Sequence, residues 1–181
     1  MTGGRLTASS TITALATLDP QGTASSSTVP DSKTSVSKAE SVTLQYGTGS
    51  GQCNLIVCQE RTIAASGNET LNLFDGTLKG IYGEATGFQK VKFISIGIIE
   101  NPGTTVKASS ITVGNAASNP NTLCMGGTTP TQTVYKTGPA MRQGDGVTGV
   151  TVNAGACNVK IVNNDGTYSA TYRIVVAGIS N

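Results

Sequence analysis

The stretch CNVKIVNNDGTYSATYRIVVA, residues 157–177, indicates the fold more clearly than any other part of the chain. Apolar side chains occupy every second position in each half of it, at Cys157, Val159 and Ile161 and again at Tyr172, Ile174 and Val176. A period of two places one face of a strand on a core and the other in water. Asp165-Gly166 between the halves is typical of a tight hairpin turn. The stretch therefore predicts two strands joined as a hairpin.

Shorter alternating or apolar segments recur upstream, separated by turns rich in Gly, Pro and Asn. They predict strands at 11–18, 41–46, 53–58, 69–74, 91–99, 110–113, 133–136 and 147–152. Residues 91–99 are the most hydrophobic and are expected to form a central strand. Residues 76–89 lack strand periodicity and are expected to form a long loop with at most one helical turn. This pattern predicts an all-β protein, a β-sandwich, with the jelly roll as a more specific form.

The strand pattern also predicts which side chains form the core. They are Val42, Leu44, Leu55, Val57, Leu71, Leu73, Phe93, Val159, Ile161, Ile174 and Val176. If the Phe93 ring were fully buried on the central strand, its truncation to alanine would cost about 3–5 kcal/mol.

The first 40 residues differ from the rest of the chain. Residues 22–35 are rich in Ser and Thr and offer little apolar surface to bury. We therefore expect residues 1–40 to be an extended N-terminal arm that orders on a partner, and residues 41–181 to be the β-sandwich domain. The alternation at 11–18 allows one short strand within the arm.

Charge is scarce in this sequence. Charged residues make up 12% of the 181 residues, against about 25% in an ordinary soluble domain, while the mean hydropathy is −0.02. Ser, Thr, Asn, Gln and Gly take the place of the missing charges. A surface of hydroxyls and amides suits close packing against neighbouring molecules, because few charges must be desolvated.

The distribution of charge argues against nucleic acid as a partner. The net charge is +2, and the twelve Lys and Arg are scattered from Arg5 to Arg173 without a basic patch. Three Phe and no Trp leave little for base stacking. There is also no apolar run long enough to cross a bilayer and no signal-peptide core at residues 1–6, so we expect no membrane partner and synthesis in the cytosol.

Residues that could carry catalysis do not form a recognisable set. Histidine is absent, which excludes Ser-His-Asp and Cys-His triads. Glu60, Glu69, Asp75 and Glu84 could supply a glycosidase pair, but they fall in loops or at strand edges, and aromatic residues are only 4% of the chain. We therefore expect no enzyme, no catalytic or cofactor-binding residues and no cofactor.

Metal and phosphate sites are not indicated either. The spacing of Cys53, Cys58, Cys124 and Cys157 has no zinc-knuckle pair. Cys53 and Cys58 on one strand would lie about 16 Å apart on opposite faces, so the cysteines are expected to be small buried hydrophobes, with one long-range disulfide as the alternative. The loop at 47–51 lacks the Gly-Lys-Ser/Thr ending of a phosphate loop. Asp-Gly at 75–76, 145–146 and 165–166 is explained by turns rather than by calcium.

Several short motifs resemble small proteins encoded beside the capsid genes of tailed bacteriophages. In chain order they are YGTGSGQ at 46–52, ERT at 60–62, LNL at 71–73, FQKVKFI at 88–94, VGNAASN at 113–119 and YRIVVAG at 172–178. The resemblance covers about residues 41–180 and depends on the order and spacing of the motifs. Proteins of this group are virion structural components, often decoration or cement proteins of the head. The resemblance implies a non-enzymatic β-sandwich displayed in many copies and supplies no catalytic residues.

We therefore expect a virion structural protein that binds the major capsid protein and stabilises the assembled phage head from the capsid surface, after synthesis in the host bacterial cytoplasm. A homo-oligomer is expected, with a trimer at threefold lattice positions as one form. The alternatives are a receptor- or glycan-binding β-sandwich module of a virion fibre, a structural protein of the tail or connector, and a cytosolic enzyme. The absence of Trp argues against the glycan-binding alternative.

Overall fold

The fold of the chain is all-β. The computed structural model describes residues 5–17, 33–80, 83, 85–99, 108–123, 125, 130–136, 140–144 and 147–181, and none of these lies in a helix. The strands are β1 Arg5–Thr17, β2 Lys33–Tyr46, β3 Gln52–Cys53, β4 Leu55–Ile63, β5 Asn68–Asn72, β6 Leu78–Lys79, β7 Ala85–Thr86, β8 Phe88–Ile98, β9 Ser110–Gly114, β10 Thr131–Tyr135, β11 Met141–Gln143, β12 Val150–Thr151, β13 Asn158–Asn163 and β14 Ala170–Ser180.

One sheet has five antiparallel strands. Its order is β11-β8-β14-β4. β12 pairs with the same edge of β8 as β11 does, nearer to the start of β8. The longest pairings join β14 to β4, from Ala170↔Ile63 to Gly178↔Leu55, and β14 to β8, from Tyr172↔Ile98 to Ser180↔Phe88. β8 therefore has strands on both sides, which confirms the predicted central strand. β14 is equally central.

A second sheet has four antiparallel strands in the order β10-β9-β13-β5. β13 pairs with β5 along Asn158↔Asn72 to Val162↔Asn68, and with β9 from Ile161↔Val113 to Asn163↔Ile111. β13 and β14 thus belong to different sheets, and the predicted hairpin of residues 157–177 is wrong. Six residues separate the two strands, and Gly166 does not adopt a positive φ. The segment carries the chain from one sheet to the other instead of closing a two-residue turn.

Buried apolar side chains from both sheets form one hydrophobic cluster, here called the main core. It includes Val57, Ile94, Ile96, Tyr172, Ile174 and Val176 from the five-stranded sheet and Leu71, Ile111, Val113, Val159 and Ile161 from the four-stranded sheet. Of the predicted core residues, those buried in this cluster are Leu55, Val57, Leu71, Leu73, Val159, Ile161, Ile174 and Val176. Leu44 is buried in a second, smaller cluster. The Val42 side chain lies outside the described part of the structure.

Phe93 is the exception among the predicted core residues, because it is only partly buried and packs in the smaller cluster. The pairing of β8 with β14 steps from Ala177↔Phe93 to Gly178↔Val91, so Lys92 is an extra residue in β8. Such a bulge shifts the alternation of a strand by one position. Val91 and Ile94 both reach the main core, and Phe93 is left on the opposite face.

Two further local predictions are wrong. The segment 76–89 contains a short antiparallel pair, β6 with β7, and Phe88 already begins β8. Residues 53–58 form no single strand, because Cys53 ends β3, which pairs with β2, and β4 begins at Leu55. β1 confirms a strand within 11–17; Leu18 lies outside the described residues. Residue 40, the predicted end of the arm, lies inside β2, and the division into arm and domain stays a prediction.

Candidate interaction surface

β1 and β2 form a long two-stranded ribbon. They pair antiparallel in unbroken register from Arg5↔Gln45 to Thr17↔Lys33, a length of roughly 43 Å. Among the described strands, only β3 pairs with the ribbon, at Gln45 and Tyr46. Within the described strands, backbone pairing therefore joins the ribbon to the rest of the chain at one end.

The register sorts the residues of the ribbon onto two chemically different faces. Positions on one face, here called the apolar ribbon face, are Leu6, Ala8, Ser10, Ile12, Ala14, Ala16, Thr34, Val36, Lys38, Glu40, Val42 and Leu44. Positions on the other face are Arg5, Thr7, Ser9, Thr11, Thr13, Leu15, Thr17, Lys33, Ser35, Ser37, Ala39, Ser41, Thr43 and Gln45. One face is therefore mainly apolar and the other mainly hydroxyl-bearing.

A small apolar cluster anchors the end of the ribbon that pairs with β3, residues 44–46, here called the root of the ribbon. Leu44 is 1% exposed and packs with Cys53 and Ala177, against the partly buried Ile56 and Phe93. Burial raises the pKa of the Cys53 thiol, and the positive charge of Lys92 opposes that shift. A thiol held neutral in this way behaves as a small hydrophobe, which agrees with the sequence-based interpretation of Cys53.

Two large apolar side chains remain exposed beside this root. Tyr46, at the end of β2, is 67% exposed, and Val147 is 53% exposed. The Gly51 amide donates a hydrogen bond to the Val147 carbonyl at 3.3 Å, which holds the two segments together. The ammonium of the buried Lys92 donates to the same carbonyl.

The face of the five-stranded sheet that looks away from the main core, here called the outer sheet face, carries rows of paired residues. The rows are Ile56, Ala177 and Phe93, then Cys58, Val175 and Ser95, then Glu60, Arg173 and Gly97. The ribbon root covers the first row through Leu44. The other two rows border an open groove of about 200 Å³ lined by Ser95, Gly97, Ile98, Ile99, Ala140, Arg173 and Val175.

The floor of this groove is made of small residues in close contact. A side chain at Gly97 would have its Cβ 2.9 Å from the Cβ of Ala140, so only glycine fits there without displacing Ala140, which precedes β11. At the rim, Arg173 forms an exposed ion pair with Glu60. The hydrogen bond to Glu60 is the main cause that raises the pKa of Arg173, and the negative charge of Glu60 adds to it. The groove is thus apolar at its floor and charged at one side.

A polar clasp joins the two sheets. The Tyr172 hydroxyl donates to Glu69 Oε1 at 2.6 Å, and Arg61 Nε donates to Glu69 Oε2 at 2.8 Å. Burial, together with the hydrogen bond to Glu69, raises the pKa of Tyr172 well above its usual range. The hydrogen bond to Glu69 also raises the pKa of Arg61. Tyr172 therefore stays a neutral donor and Arg61 a cation, and through Glu69 they tie β5 to β14 and β4.

Three of the four carboxylates considered for catalysis lie among the described residues, and each of the three has a different partner. Glu60 pairs with Arg173, Glu69 belongs to the clasp, and Asp75 accepts a hydrogen bond from the Thr77 amide at 2.9 Å. Glu84 lies outside the described residues. Glu60 is therefore paired with the neighbouring strand, Asp75 within its own turn, and Glu69 with two residues of the other sheet.

The cysteines occupy different environments. Cys53 and Cys157 are buried and Cys58 is exposed, and all three are free thiols. The interpretation of Cys58 as a buried hydrophobe is wrong, because its position in β4 places it on the outer sheet face. Cys124 lies outside the described residues. Within the described part of the chain, no three His, Cys, Asp or Glu side chains are grouped as metal ligands would be.

The glycine-rich loop at 47–51 acts as a turn between β2 and β3. Gly47 and Gly51 have positive φ values of 145° and 65°, and the Gly49 amide donates to Gln52 Oε1 at 2.8 Å. Asp75-Gly76 also makes a turn, with Gly76 at a φ of 77°. Residues 145–146 lie outside the described residues.

Comparisons with known proteins add no family assignment. No protein-family model matches this sequence, and neither a curated protein nor a solved structure is significantly similar to it. The resemblance to phage proteins stays a prediction. The described part of the chain contains no helix that could span a bilayer.

Proposed function

We propose that this protein is a non-enzymatic structural component of a bacteriophage particle, a decoration or cement protein that binds the assembled head. The observation that carries the proposal is the ribbon. A two-stranded ribbon is marginally stable by itself in water, and its unpaired backbone edges accept further strands. The ribbon is paired over thirteen residues, and among the described strands its further backbone pairing is with β3 at one end, so it would gain most from a partner surface.

We further infer that the two larger sheets form a jelly-roll sandwich. Support comes from the strand order, β4-β14-β8-β11 in one sheet and β5-β13-β9-β10 in the other. The consecutive pairs β4–β5, β8–β9, β10–β11 and β13–β14 each cross from one sheet to the other, as in two interlocked Greek keys. The single cluster of buried side chains drawn from both sheets also supports a sandwich.

The jelly roll is common among viral capsid domains, which agrees with the proposal by analogy of fold. A protein that bridges adjacent capsid subunits binds only the assembled lattice, so mass action shifts the equilibrium toward the intact shell. The major capsid protein would be the partner, and a trimer at threefold positions would match the lattice symmetry. The hydroxyl-bearing ribbon face and the ribbon edges would supply the contact with the shell.

Glycan binding is a second candidate, because jelly rolls also occur in lectins. Tyr46 and Tyr135, which are exposed by 67% and 61%, offer rings on which sugars could stack. They lie on β2 and β10, strands of different sheets, and are therefore not joined in one platform by strand pairing. A glycan array with no binding to the intact chain would leave only the structural role.

Particles from a phage deleted for this gene test the proposed function. Purified full chain and a truncated chain of residues 41–181 would be added to such heads, and occupancy would be measured after sedimentation. We expect saturable binding of the full chain and at least tenfold weaker binding of the truncated chain. Circular dichroism of the truncated chain is the control: it should still show a β spectrum, reduced only by the loss of β1 and part of β2, and keep its cooperative thermal transition.

Two results would count against this function. Equal occupancy by the full and truncated chains would overturn the role of the ribbon in docking. Failure of the full chain to bind heads at all, while remaining folded, would overturn the assignment to the capsid surface.

A further inference from the structure

We propose that the apolar ribbon face of one copy of this chain binds the groove on the outer sheet face of a second copy. The contact is between different surfaces of the two molecules, so repetition of it closes a ring when the rotation between copies allows. The inference goes beyond the proposed function, because self-association of this kind requires no phage particle.

Continuity with an existing contact supports this choice of surfaces. Leu44 belongs to the apolar ribbon face and is already buried against Ala177 and Phe93 of the outer sheet face in its own chain. The groove begins one row further along the same strands, at Val175 and Ser95. Apolar residues of the ribbon face would thus pack on the outer sheet face twice: Leu44 within one copy, and the residues further along the ribbon between two copies.

Among the described side chains of the ribbon, Leu44 covers only the first row of the outer sheet face. Cys58 is exposed, and the side chain of Arg173 is 54% exposed, although both lie on the rows beside the covered first row. The ribbon meanwhile extends roughly 43 Å from end to end, far enough for its distal residues to reach another molecule. A second copy of the chain carries the same ribbon and is present at the same concentration as the groove, so it is the occupant that we propose.

Both surfaces carry charges of both signs. Lys38 and Glu40 lie at positions of the apolar ribbon face, and Glu60 and Arg173 lie on the outer sheet face. Arg142, which pairs with Ser95, is also placed on the outer sheet face by its register, so Glu40 has two arginines and Lys38 has Glu60 as candidate partners. Complementary charges at a rim fix the register of two surfaces more than they add affinity.

The shape of the groove matches a β ribbon with small side chains. Its floor has Gly97, Ala140 and Ser95, and its opening is continuous with the flat outer sheet face. The apolar ribbon face carries Ala at positions 8, 14 and 16, beside Ile12 and Val36. Small residues on both sides allow the two sheets to approach closely, which favours face-to-face packing.

Disulfide trapping tests this contact with the native Cys58 as reporter. One copy carries Cys58→Ser and a single new cysteine on the apolar ribbon face, namely Ala8→Cys, Ala14→Cys or Val36→Cys. The other copy keeps Cys58 and bears a tag that changes its mass. Both also carry Cys124→Ser. After mixing and mild oxidation, we expect a mixed disulfide from at least one of the three positions.

Matched controls place the new cysteine on the opposite ribbon face, as Ser9→Cys, Thr13→Cys or Ser37→Cys. These should give at least tenfold less mixed disulfide than the best position of the apolar ribbon face. Equal trapping from both faces, or no trapping from any position of the apolar ribbon face, would overturn the proposal. An intramolecular disulfide in a copy that keeps both Cys58 and the ribbon cysteine, without any mixed product, would assign the groove to its own ribbon and also overturn it.

A groove variant provides an independent measurement. Val175→Glu puts a charge in the lining of the groove, and light scattering should then report monomers at concentrations where the wild-type chain is oligomeric. Ser118→Glu, in an exposed loop, should leave the wild-type mass unchanged. A monomeric wild-type chain at every accessible concentration would refute self-association, whatever the outcome of capsid binding.

Discussion

Two buried asparagines show how single side chains close the loops between strands. Asn163 Nδ2 donates to the carbonyls of Ala64 at 3.0 Å and Tyr168 at 2.8 Å, so the end of β13 is tied to the end of β4. Asn121 Nδ2 donates to the Ala156 carbonyl at 2.9 Å, and its Oδ1 accepts from the Leu123 amide. Both side chains satisfy backbone groups that the strands leave unpaired, which buried loops require.

Asp165 also binds backbone groups of a loop, but at the surface. Because its side chain is a carboxyl, this contribution to stability depends on pH. Its Oδ1 accepts from the amides of Thr167 and Tyr168, and its Oδ2 from the amide of Ser109. Hydrogen bonds from Thr167 and Tyr168 lower the pKa of this carboxyl. A lowered folded pKa means that the carboxylate stabilises the fold above the unfolded pKa, about 3.9, and that this contribution is lost as pH falls through the folded value.

We therefore predict that Asp165→Asn is less stable than the wild-type chain at pH 7 and that the difference shrinks as pH falls below about 4. Urea unfolding at a series of pH values measures it. The asparagine keeps an acceptor oxygen, so the native β content at neutral pH serves as the control. Two stability curves that stay parallel from pH 7 to pH 2 would show that the carboxylate has no such role.

At the scale of elements, alternation predicted most strands but not how they are connected. Val159 and Ile161 on β13, and Ile174 and Val176 on β14, are buried as their pattern predicted. The same alternation serves a hairpin in one sheet or two strands facing each other across a core, because each arrangement buries one face per strand. What separates the two is the path of residues 164–169, set by Asn163 and Asp165, and their hydrogen bonds are not visible in a pattern of apolar residues.

The pattern of apolar residues also gave no sign of the bulge in β8. Phe93, Ile94 and Ile96 are all large and apolar, so the sequence allows either face to be the inner one. The extra residue, Lys92, is charged and would not be expected inside, yet it is 2% exposed. Its ammonium reaches the Val147 carbonyl, a contact between residues far apart in sequence. Long-range partners of this kind decide register, and alternation does not report them.

We predict different costs for truncating the two faces of β8. Ile96 is fully buried in the main core, so Ile96→Ala should lower the free energy of unfolding by about 2–5 kcal/mol. The Phe93 ring is only partly buried, and Phe93→Ala should cost about 1–2 kcal/mol, well below the ~3–5 kcal/mol of a buried ring. Chemical denaturation of both variants measures the costs. A larger cost for Phe93→Ala than for Ile96→Ala would contradict the bulge.

At the scale of the whole molecule, the interaction surface was harder to predict than the core. A Ser/Thr-rich arm that orders on a partner was expected, and β1 and β2 pair within it over residues 5–17 and 33–40. The alternation at 11–18 was the signal for β1, whereas residues 33–40 have only Val36 and Ala39 as apolar members. The groove combines Gly97, Ala140 and Val175 from three strands or their flanks, so no local sequence pattern could indicate it.

We predict that the ribbon unfolds locally while the two sheets stay folded. Backbone hydrogen bonds of β1 are made to β2 alone among the described strands, whereas β14 is bonded on both sides and covers the main core. Local opening costs least where few apolar contacts must be broken. In dilute solution, amide hydrogen exchange should be faster across Arg5–Thr17 than across Ala170–Ser180 by at least a hundredfold.

Raising the protein concentration should then slow exchange in the ribbon and in the row of Val175 and Ser95 together, because one contact would protect both surfaces. Amides of β13, which faces neither surface, should keep their rates and serve as the internal reference. Ribbon protection without any change at Val175 would place the partner surface elsewhere on the molecule. Exchange in the ribbon as slow as in β14 at every dilution would mean that the ribbon needs no partner, and the reason for assigning it a docking role would be gone.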